Sequence, residues 1–371
     1  MPEMSKQGNT ATEKGPIAIW LGLSDKKARE KVSALEDLPG CAPIIIFRRA
    51  PIPGLSPRFH QQHAPNWLRR FPLTAHLYVA VLSVIVCVIK RPSKCVAVSL
   101  LPHFLMARFC AGLLRSKRII WLIGTDLYRQ LPKSPYRQTI RKQVIKCDRV
   151  MVMGHNSRRI AEKLGVNPRK LTVCFNAYEI KQIDSCSSEL PLPYDVAFCA
   201  RLDRHHKGLD TLLEVIELNH RRLPDSRFIV LGDGPHRAWF RRQLILRGIE
   251  RAVDSPGHVL DVTACLKKAR VFLMTSNWEG LPAVIVEAMA NGLPVVSTKV
   301  GDIGEICAHG INALLAPPGS AAQLSEHLFA ILTNRSLFES LKRNACETGL
   351  NLKTRSRQLS LQAWEEALMQ S

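Results

Sequence analysis

The chain has 371 residues, 46% of them hydrophobic and 22% charged, which excludes global disorder and allows a large buried core. Single cores rarely grow beyond about 250–300 residues, so two domains are expected. The net charge of +21 makes a polyanion the expected partner, whether nucleic acid, an anionic membrane face or a phosphorylated substrate.

The basic residues fall in short clusters, Arg48-Arg49, Arg69-Arg70, Lys90-Arg91, Arg241-Arg242 and Lys267-Lys268, and none extends into a long basic tail. Aromatics, at 6%, do not interleave with them, which sets nucleic acid aside and favours a membrane surface. Solvated surface charge is the alternative for each cluster. Eleven cysteines are scattered without CxxC pairs or metal-ligand spacing, against a disulfide framework or a zinc site. Cys87, Cys174 and Cys199, within apolar runs, read as small core residues. Met1 to Gly15 is polar and lacks the apolar stretch of a secretory signal, so the cytoplasm, or peripherally the inner face of its membrane, is the expected location.

In chain order, Ile44-Ile45-Ile46-Phe47 is the first β-branched run that reads as a buried parallel strand. Leu73 to Ile89 follows, nearly all apolar, with Arg69-Arg70 before it and Lys90-Arg91 after. It is slightly short for a bilayer span of about 20 residues and contains His76 and Ser83. A buried helix ended by Arg91-Pro92 explains it best; an interfacial helix and a span are the alternatives. Val96-Ala97-Val98, Ile119 to Leu122 and Arg149 to Val152 continue the strands of the first half. A second series runs through Asp195 to Phe198, Phe228 to Leu231, Val271 to Met274 and Pro294 to Ser297, with helical stretches between. Such alternation predicts βαβ units in two parallel-sheet α/β domains.

Ser-rich and Pro-rich residues between Ser185 and Tyr194 mark the expected boundary. They divide the chain into an N-terminal domain over 1–185, a C-terminal domain over 186–350 and a helix over 351–371. In the tail, Leu361, Trp364 and Leu368 share one helical face.

Three pieces of the second half carry chemistry. After the strand ending at Cys199-Ala200 comes Arg201-Leu202-Asp203-Arg204-His205-His206-Lys207-Gly208, then a helix. Loops that leave a parallel strand at its carboxyl end are where open α/β sheets bind ligands. Arg201 and Lys207 suit a diphosphate there, and Gly208 allows a tight turn; a basic surface loop is the alternative reading of this stretch alone. Gly232-Asp233-Gly234 follows another strand and permits close backbone approach, but it is no GxGxxG fingerprint. The third piece is Trp278-Glu279-Gly280-Leu281-Pro282-Ala283, then an apolar stretch containing Glu287. Pro fits the first turn of a helix, whose N-terminus offers N–H groups to a phosphate. A carboxylate among Val284, Ile285, Val286, Ala288 and Met289 is costly unless bonded, and sugar hydroxyls would satisfy both glutamates.

From about Asp195 to Pro318 the chain resembles the donor-binding domain of retaining glycosyltransferases of family 4, the glycosyl transferases group 1. The family's E-x7-E motif is matched by Glu279 and Glu287 within Trp-Glu-Gly-Leu-Pro. Gly292-Leu293-Pro294-Val295-Val296, Val300-Gly301-Asp302 and Gly310 to Leu315 are also similar. Ser157 to Asn176 resembles the last N-domain segment of the family.

The resemblance implies a GT-B fold, two Rossmann-like parallel-sheet domains facing a cleft, with the tail helix crossing back to the first domain. It implies sugar transfer with retained configuration from a nucleotide-diphosphate sugar, most commonly a UDP-sugar, to a saccharide or lipid-linked acceptor. Arg201 and Lys207-Gly208 would hold the diphosphate, and Gly232, Asp233 and Gly234 would lie near the base. Glu279 would act at the donor sugar, with Gly280, Leu281, Pro282 and Ala283 beside it. Glu287 would bind the ribose. No cofactor or metal is implied, and there is no Asp-x-Asp motif. The chain departs from the family in its first half. Only Trp20-Leu21-Gly22-Leu23 stands for the usual glycine-rich loop, and Ile123 occupies the place of the usual histidine. His103 is a candidate substitute, and Asp126 a candidate on the acceptor side, with N-capping as its alternative role. Other readings are an inactive GT-B scaffold, an epimerase or a phosphorylase.

Overall fold

The computed structural model describes residues 15–39, 43–133, 135–180 and 192–369. The chain divides into two compact units. One takes the residues up to Trp121, Lys146–Met151 and the chain from Glu365 on; the other takes Leu122–Ile145 and Val152–Trp364. The expected boundary at 185–186 lies outside the described residues.

The first sheet contains β1 (Ile17–Leu21), β2 (Ile44–Arg48), β3 (Phe59–His63), β4 (Lys94–Val98), β5 (Lys117–Trp121), β6 (Arg149–Val152) and β7 (Leu171–Val173). Its order is β3-β2-β1-β4-β5-β6-β7, and the pairs from β3 to β6 are parallel. The β-branched centres of β1, β2 and β4 are buried on both faces, as a parallel sheet covered by helices requires. In the first unit, Trp20 stacks on Phe47 at 4.9 Å and the Lys31 ammonium lies 3.5 Å from the Trp121 ring centre. The helices interleaved with this sheet are α1 (Asp25–Val32), α2 (Pro72–Lys90), α3 (His103–Leu114), the single turn α4 (Leu131–Lys133), α5 (Arg137–Ile145) and α6 (His155–Lys163).

The second sheet is built from β8 (Tyr194–Cys199), β9 (Phe228–Leu231), β10 (Val253–Gly257), β11 (Ala269–Met274), β12 (Val295–Thr298) and β13 (Ala313–Ala316). Its order is β10-β9-β8-β11-β12-β13, all parallel. Around it run α7 (Leu209–Arg222), α8 (Arg237–Leu246), α9 (Val262–Leu266), α10 (Ala283–Ala290), α11 (Ala321–Thr333) and α12 (Arg335–Met369). Val196, Phe198, Val230, Val271 and Leu273 from the strands meet Leu212, Ile216, Leu324 and Leu328 from α7 and α11 in one core. The tail helix begins at Arg335, well before the expected 351. Trp364 is fully buried, and Leu368 nearly so.

In both sheets the chain steps outward from the first strand to the third, then crosses back to lay the fourth beside the first. Two adjacent strands therefore send their following loops in opposite directions, and a crevice opens at their carboxyl ends. In the second sheet these strands are β8 and β11; in the first, β1 and β4. This is the GT-B fold class, two parallel-sheet α/β domains.

The expectation of a buried helix over Leu73–Ile89 is corrected. The helix forms, as Pro72–Lys90, but only 22% of its most apolar window is buried. The buried side chains are Ala75, Val79, Ser83 and Cys87, an i+4 ridge of small residues packed toward α3 and the sheet. The bulky residues lie on the other faces. Composition gave the helix, and residue size decided which face docks.

Among the described residues eight cysteines are free thiols, Cys87 and Cys174 buried and Cys199 partly so; Cys346 is in a disulfide.

Candidate active site

The loops after β8 and β11 meet at the crevice of the second sheet. Thr275 donates its hydroxyl to the Lys207 carbonyl at 2.8 Å, and the Asn277 amide N–H donates to the His206 carbonyl at 2.9 Å. The Asn277 side chain adds a bond to the His205 carbonyl at 2.7 Å. Gly208 sits at φ +60° where α7 begins, and a Cβ there would lie 2.1 Å from the Thr275 carbonyl oxygen. Only glycine lets the two loops close to this distance.

Within this frame Glu279 is nearly buried. Its Oε1 accepts hydrogen bonds from the Lys207 ammonium and from Ser276 Oγ at 2.7 Å, and His206 Nε2 lies 3.8 Å away. Burial alone would raise the pKa of the carboxyl. The charges of Lys207 and His206, with the two hydrogen bonds, outweigh burial and hold it below its ordinary value. His206 is pushed the other way from protonation: burial and then the Lys207 charge lower its pKa, against Glu279 and Asp203. Its ring stacks on Trp278 at 4.9 Å, nearly parallel, which fixes the wall beside the carboxylate. The site thus pairs Glu279 with Lys207, beside an imidazole whose protonation burial and Lys207 disfavour.

Arg201 opens the β8 loop and is exposed. Its guanidinium makes no hydrogen bond or ion pair among the described residues, so this charge is available to an anion. Pro282 caps α10, one place before the expected first turn, and the N–H groups at the start of an α-helix have no intrahelical acceptor. Leu281 is buried while Pro282, Ala283 and Val284 are partly open. Glu287, one turn on, is buried on the same helix.

Three glycines pack backbone to backbone around the turn carrying Glu279. A Cβ on Gly124 would lie 2.2 Å from the Gly280 nitrogen, and one on Gly301, at φ +59°, would lie 2.0 Å from the Glu279 carbonyl oxygen. The Asp302 amide donates to the Gly280 carbonyl at 3.0 Å. The turn is further tied to the start of α6. Asp302, almost wholly buried, accepts from the Ser157 amide at 2.9 Å and from its hydroxyl, and Glu305 accepts from the His155 amide at 2.9 Å. Two carboxylates therefore cap α6 from the loop after β12, satisfying donors that its own N-cap, Gly154, leaves open. Burial raises the Asp302 pKa, with Ser157 opposing.

Gly232-Asp233-Gly234 lies beside the β8 loop. Gly232 is at φ +128°, and Gly234 passes so close to Leu202 that a Cβ would meet its carbonyl oxygen at 2.5 Å. Leu202 donates its amide to the Asp233 carbonyl at 3.0 Å. The Asp233 carboxylate serves its own turn, accepting from the Gly234 amide at 2.7 Å and from Arg237. The residues expected at a donor site thus stand on loops at the carboxyl ends of β8, β9 and β11 or at the start of α10, with Glu287 one turn into that helix.

The first-half candidates have their own settings. His103 is the first residue of α3, at the carboxyl end of β4, and is nearly buried. A Cβ on Gly22, after β1, would come within 2.1 Å of the His103 ring, so this glycine makes room for the imidazole at the crevice of the first sheet. Burial, helped by His76, lowers its pKa to about 4. Asp126 is buried and turns back on its own segment, accepting from the Ile123 amide at 3.0 Å; Thr125 holds the N-cap position.

Sequence reasoning did not single out Ser276, the His206–Trp278 stack or the capping role of Asp302. Ser276 and Trp278 stood inside the Glu279 phrase, and their small or aromatic character beside a buried acid was the available signal. The pairing of Ser157 with Asp302, 145 residues apart, has no sequence signal. Among the described residues no group of three or more His, Cys, Asp or Glu is arranged to hold a metal.

The fold and these loops define a GT-B protein with a crevice around a buried acid–lysine pair. Residues 193–334, which hold all of the donor-site candidates, match the family Glycosyl transferases group 1. The chain is similar to 2-deoxystreptamine N-acetyl-D-glucosaminyltransferase of Niallia circulans, 30% identical over 173 residues, covering 42% of this chain and 44% of that one. It is also similar to the putative colanic acid biosynthesis glycosyltransferase WcaL of Salmonella typhimurium, 27% identical over 226 residues, covering 58% and 55%. The chain thus spans about half the length of these curated relatives. Among solved structures, sucrose-phosphate synthase from Thermosynechococcus elongatus superposes with a TM-score of 0.75 at 16% identity, covering 96% of this chain and all of that one. HepE of Anabaena in complex with UDP gives 0.71 at 17% identity, covering 94% and 98%. These likenesses show the fold.

Proposed function

We propose that the chain is a retaining glycosyltransferase of family 4, moving a sugar from a nucleotide-diphosphate sugar, with UDP preferred, to a saccharide or lipid-linked acceptor in polysaccharide biosynthesis. The observation that carries this reading is the pairing of buried Glu279 with Lys207 beside the start of α10. Departure of a nucleoside diphosphate builds negative charge on the β-phosphate oxygen. Lys207, exposed Arg201 and the first N–H groups of α10 are the positive groups that would stabilise it, without a divalent metal or other cofactor. Lys207 also cancels the charge of Glu279, which would otherwise repel a diphosphate. Glu279 would hold the donor sugar hydroxyls and Glu287 the ribose hydroxyls, each carboxylate oxygen accepting. His103 and Asp126 would serve the acceptor side. Curated relatives named glycosyltransferases of polysaccharide biosynthesis, and a fold neighbour described in complex with UDP, support the reading.

The test is calorimetry of the purified chain with UDP, GDP and ADP, with and without EDTA. Arg201→Ala with Lys207→Ala is expected to weaken the preferred nucleotide at least about tenfold, the loss of two charge-assisted contacts. Unchanged affinity would remove the diphosphate assignment. Binding that never leads to transfer, with any acceptor extract, would point to an inactive scaffold.

A further inference from the structure

α2 and α3 lie in one layer, since they pack on each other while α2 contacts β2 and β3 and α3 contacts β1, β4 and β5. α2 buries Ala75, Val79, Ser83 and Cys87, α3 buries His103, Phe104, Ala107, Cys110 and Ala111, and each turns a ridge of bulky apolar residues outward. On α2 the outward ridge is Leu73, Leu77, Val81, Ile85 and Ile89, spaced every four residues and half to nearly fully exposed. On α3 it is Leu105, Phe109 and Leu113, at the same spacing and each more than half exposed. Trp67 and Phe71, at the entry to α2, are also exposed. Contiguous apolar faces of this kind mark a surface that is covered in use.

The charge around the face identifies what covers it. Arg70, Lys90, Arg91, Arg108, Arg115 and Lys117 are exposed at the ends and flanks of the two helices, and none has a side-chain ion pair among the described residues. Between Asp37 and Asp126 the sequence contains no Asp or Glu at all, against twelve Lys and Arg. A second copy of this chain, meeting face to face about a two-fold axis, would bring two basic rims together, and like charges oppose that pairing. An apolar plateau within a purely basic rim instead matches a lipid leaflet with anionic headgroups, where the side chains enter the acyl boundary and the cations remain among phosphates.

We propose that the outward faces of α2 and α3 together form a monotopic docking surface for an anionic membrane leaflet. α2 lies in the interface and does not cross it. Its inward residues Ala75, Val79, Ser83 and Cys87 are buried and the helix packs on α3, β2 and β3, and a crossing would strip that ridge from the domain. The basic residues hold the apolar face against the headgroups, so attachment depends on both lipid charge and salt.

This surface is independent of the donor-site reading, and the test uses vesicles without any nucleotide sugar. The whole chain is sedimented with phosphatidylcholine vesicles and with phosphatidylcholine–phosphatidylglycerol vesicles at about 3:1, in low and in high salt. Partition is expected to rise at least about tenfold with the anionic lipid and to fall in high salt. Leu77→Glu with Phe109→Glu is expected to abolish it, and Arg108→Glu with Lys90→Glu to remove the preference for anionic lipid. Leu260→Glu, at a fully exposed site on the second unit, is expected to leave it unchanged. The substituted side chains point outward, and matching melting curves check that the variants are folded. Equal sedimentation of the Leu77→Glu, Phe109→Glu variant, or no sedimentation of the wild type with either lipid, overturns the proposal. Resistance of the bound protein to alkaline carbonate would show a span and overturn the monotopic arrangement. Conversion of a dimer to a monomer by the same variant, without vesicle binding, would assign the face to a second copy.

Discussion

Glu279 and Lys207 form a pair whose two members can be removed with different results. In Glu279→Gln the hydrogen bond from Ser276 can persist while the negative charge is lost. Transfer is expected to fall about 100- to 1,000-fold, the scale of losing one positioned electrostatic group, while nucleotide affinity changes only a few-fold. Steady-state kinetics beside calorimetry separates the two, and near-wild-type turnover would remove the catalytic role. His103 makes a second prediction. Its pKa is lowered to about 4 in the folded protein, below the ordinary value of 6.5, so between these values the unfolded chain binds a proton that the folded chain does not. Stability contributed by the neutral ring is therefore intact above about pH 6.5 and is lost as pH falls toward 4, by up to about 3 kcal/mol. Urea unfolding at several pH values should show this slope, and His103→Gln should flatten it. At this scale the acidic pair and the cations were legible because a Glu within an apolar helix and Arg or Lys after a strand are local signals. Which nitrogen would reach which carboxylate was not, since Lys207 and Glu279 are 72 residues apart and meet only through the strand order.

Most strands were readable from their apolar character, but β1, with the wholly apolar and buried sequence IAIWL, was not identified. β2, β6, β9 and β11 were found almost to their ends. β3, with the sequence FHQQH, and β10, VDSPG, were not, because each lies at a sheet edge where polar residues, glycine and proline are tolerated. α2 was recognised as a helix, but its exposure was not foreseen; mean apolarity does not say which face a neighbour covers. Its geometry predicts opposite outcomes for adjacent substitutions. Val79→Asp, on the inward ridge, is expected to destabilise by several kcal/mol, as an unpaired buried charge does, and Leu77→Asp, two positions earlier, by less than about 0.5 kcal/mol. Equal losses in chemical denaturation would contradict the packing. The turn after β12 offers another check. Gly301→Ala places a methyl group against the Glu279 carbonyl in a left-handed conformation, and a cost of about 1–3 kcal/mol is expected, with weakened nucleotide binding.

Over the whole molecule, two sheets with the same strand order supply two crevices, one lined by a histidine beside a glycine and one by the acid–lysine pair. A nucleotide held by the second unit should stabilise the folded chain by mass action, by about 2.7 kcal/mol at a hundred times its dissociation constant. Glu287→Ala is expected to lose this shift in a thermal scan, with Glu287→Gln keeping part of it. If both variants respond like wild type, Glu287 does not contact the nucleotide. The two-domain α/β plan and the loops of the second sheet were legible from alternation and motif. The assignment of α4, α5 and α6 to the second compact unit was not, because tertiary contacts and not chain position decide it.

The two carboxylates that cap α6 also set an order of events during synthesis. Ser157 leaves the ribosome 145 residues before Asp302, and at about 5–20 residues per second the interval is on the order of ten seconds. Throughout it the first N–H groups of α6 lack the acceptors that will finally hold them. A nascent chain arrested before residue 300 should therefore show α6 open to protease, and one released after Glu305 should not.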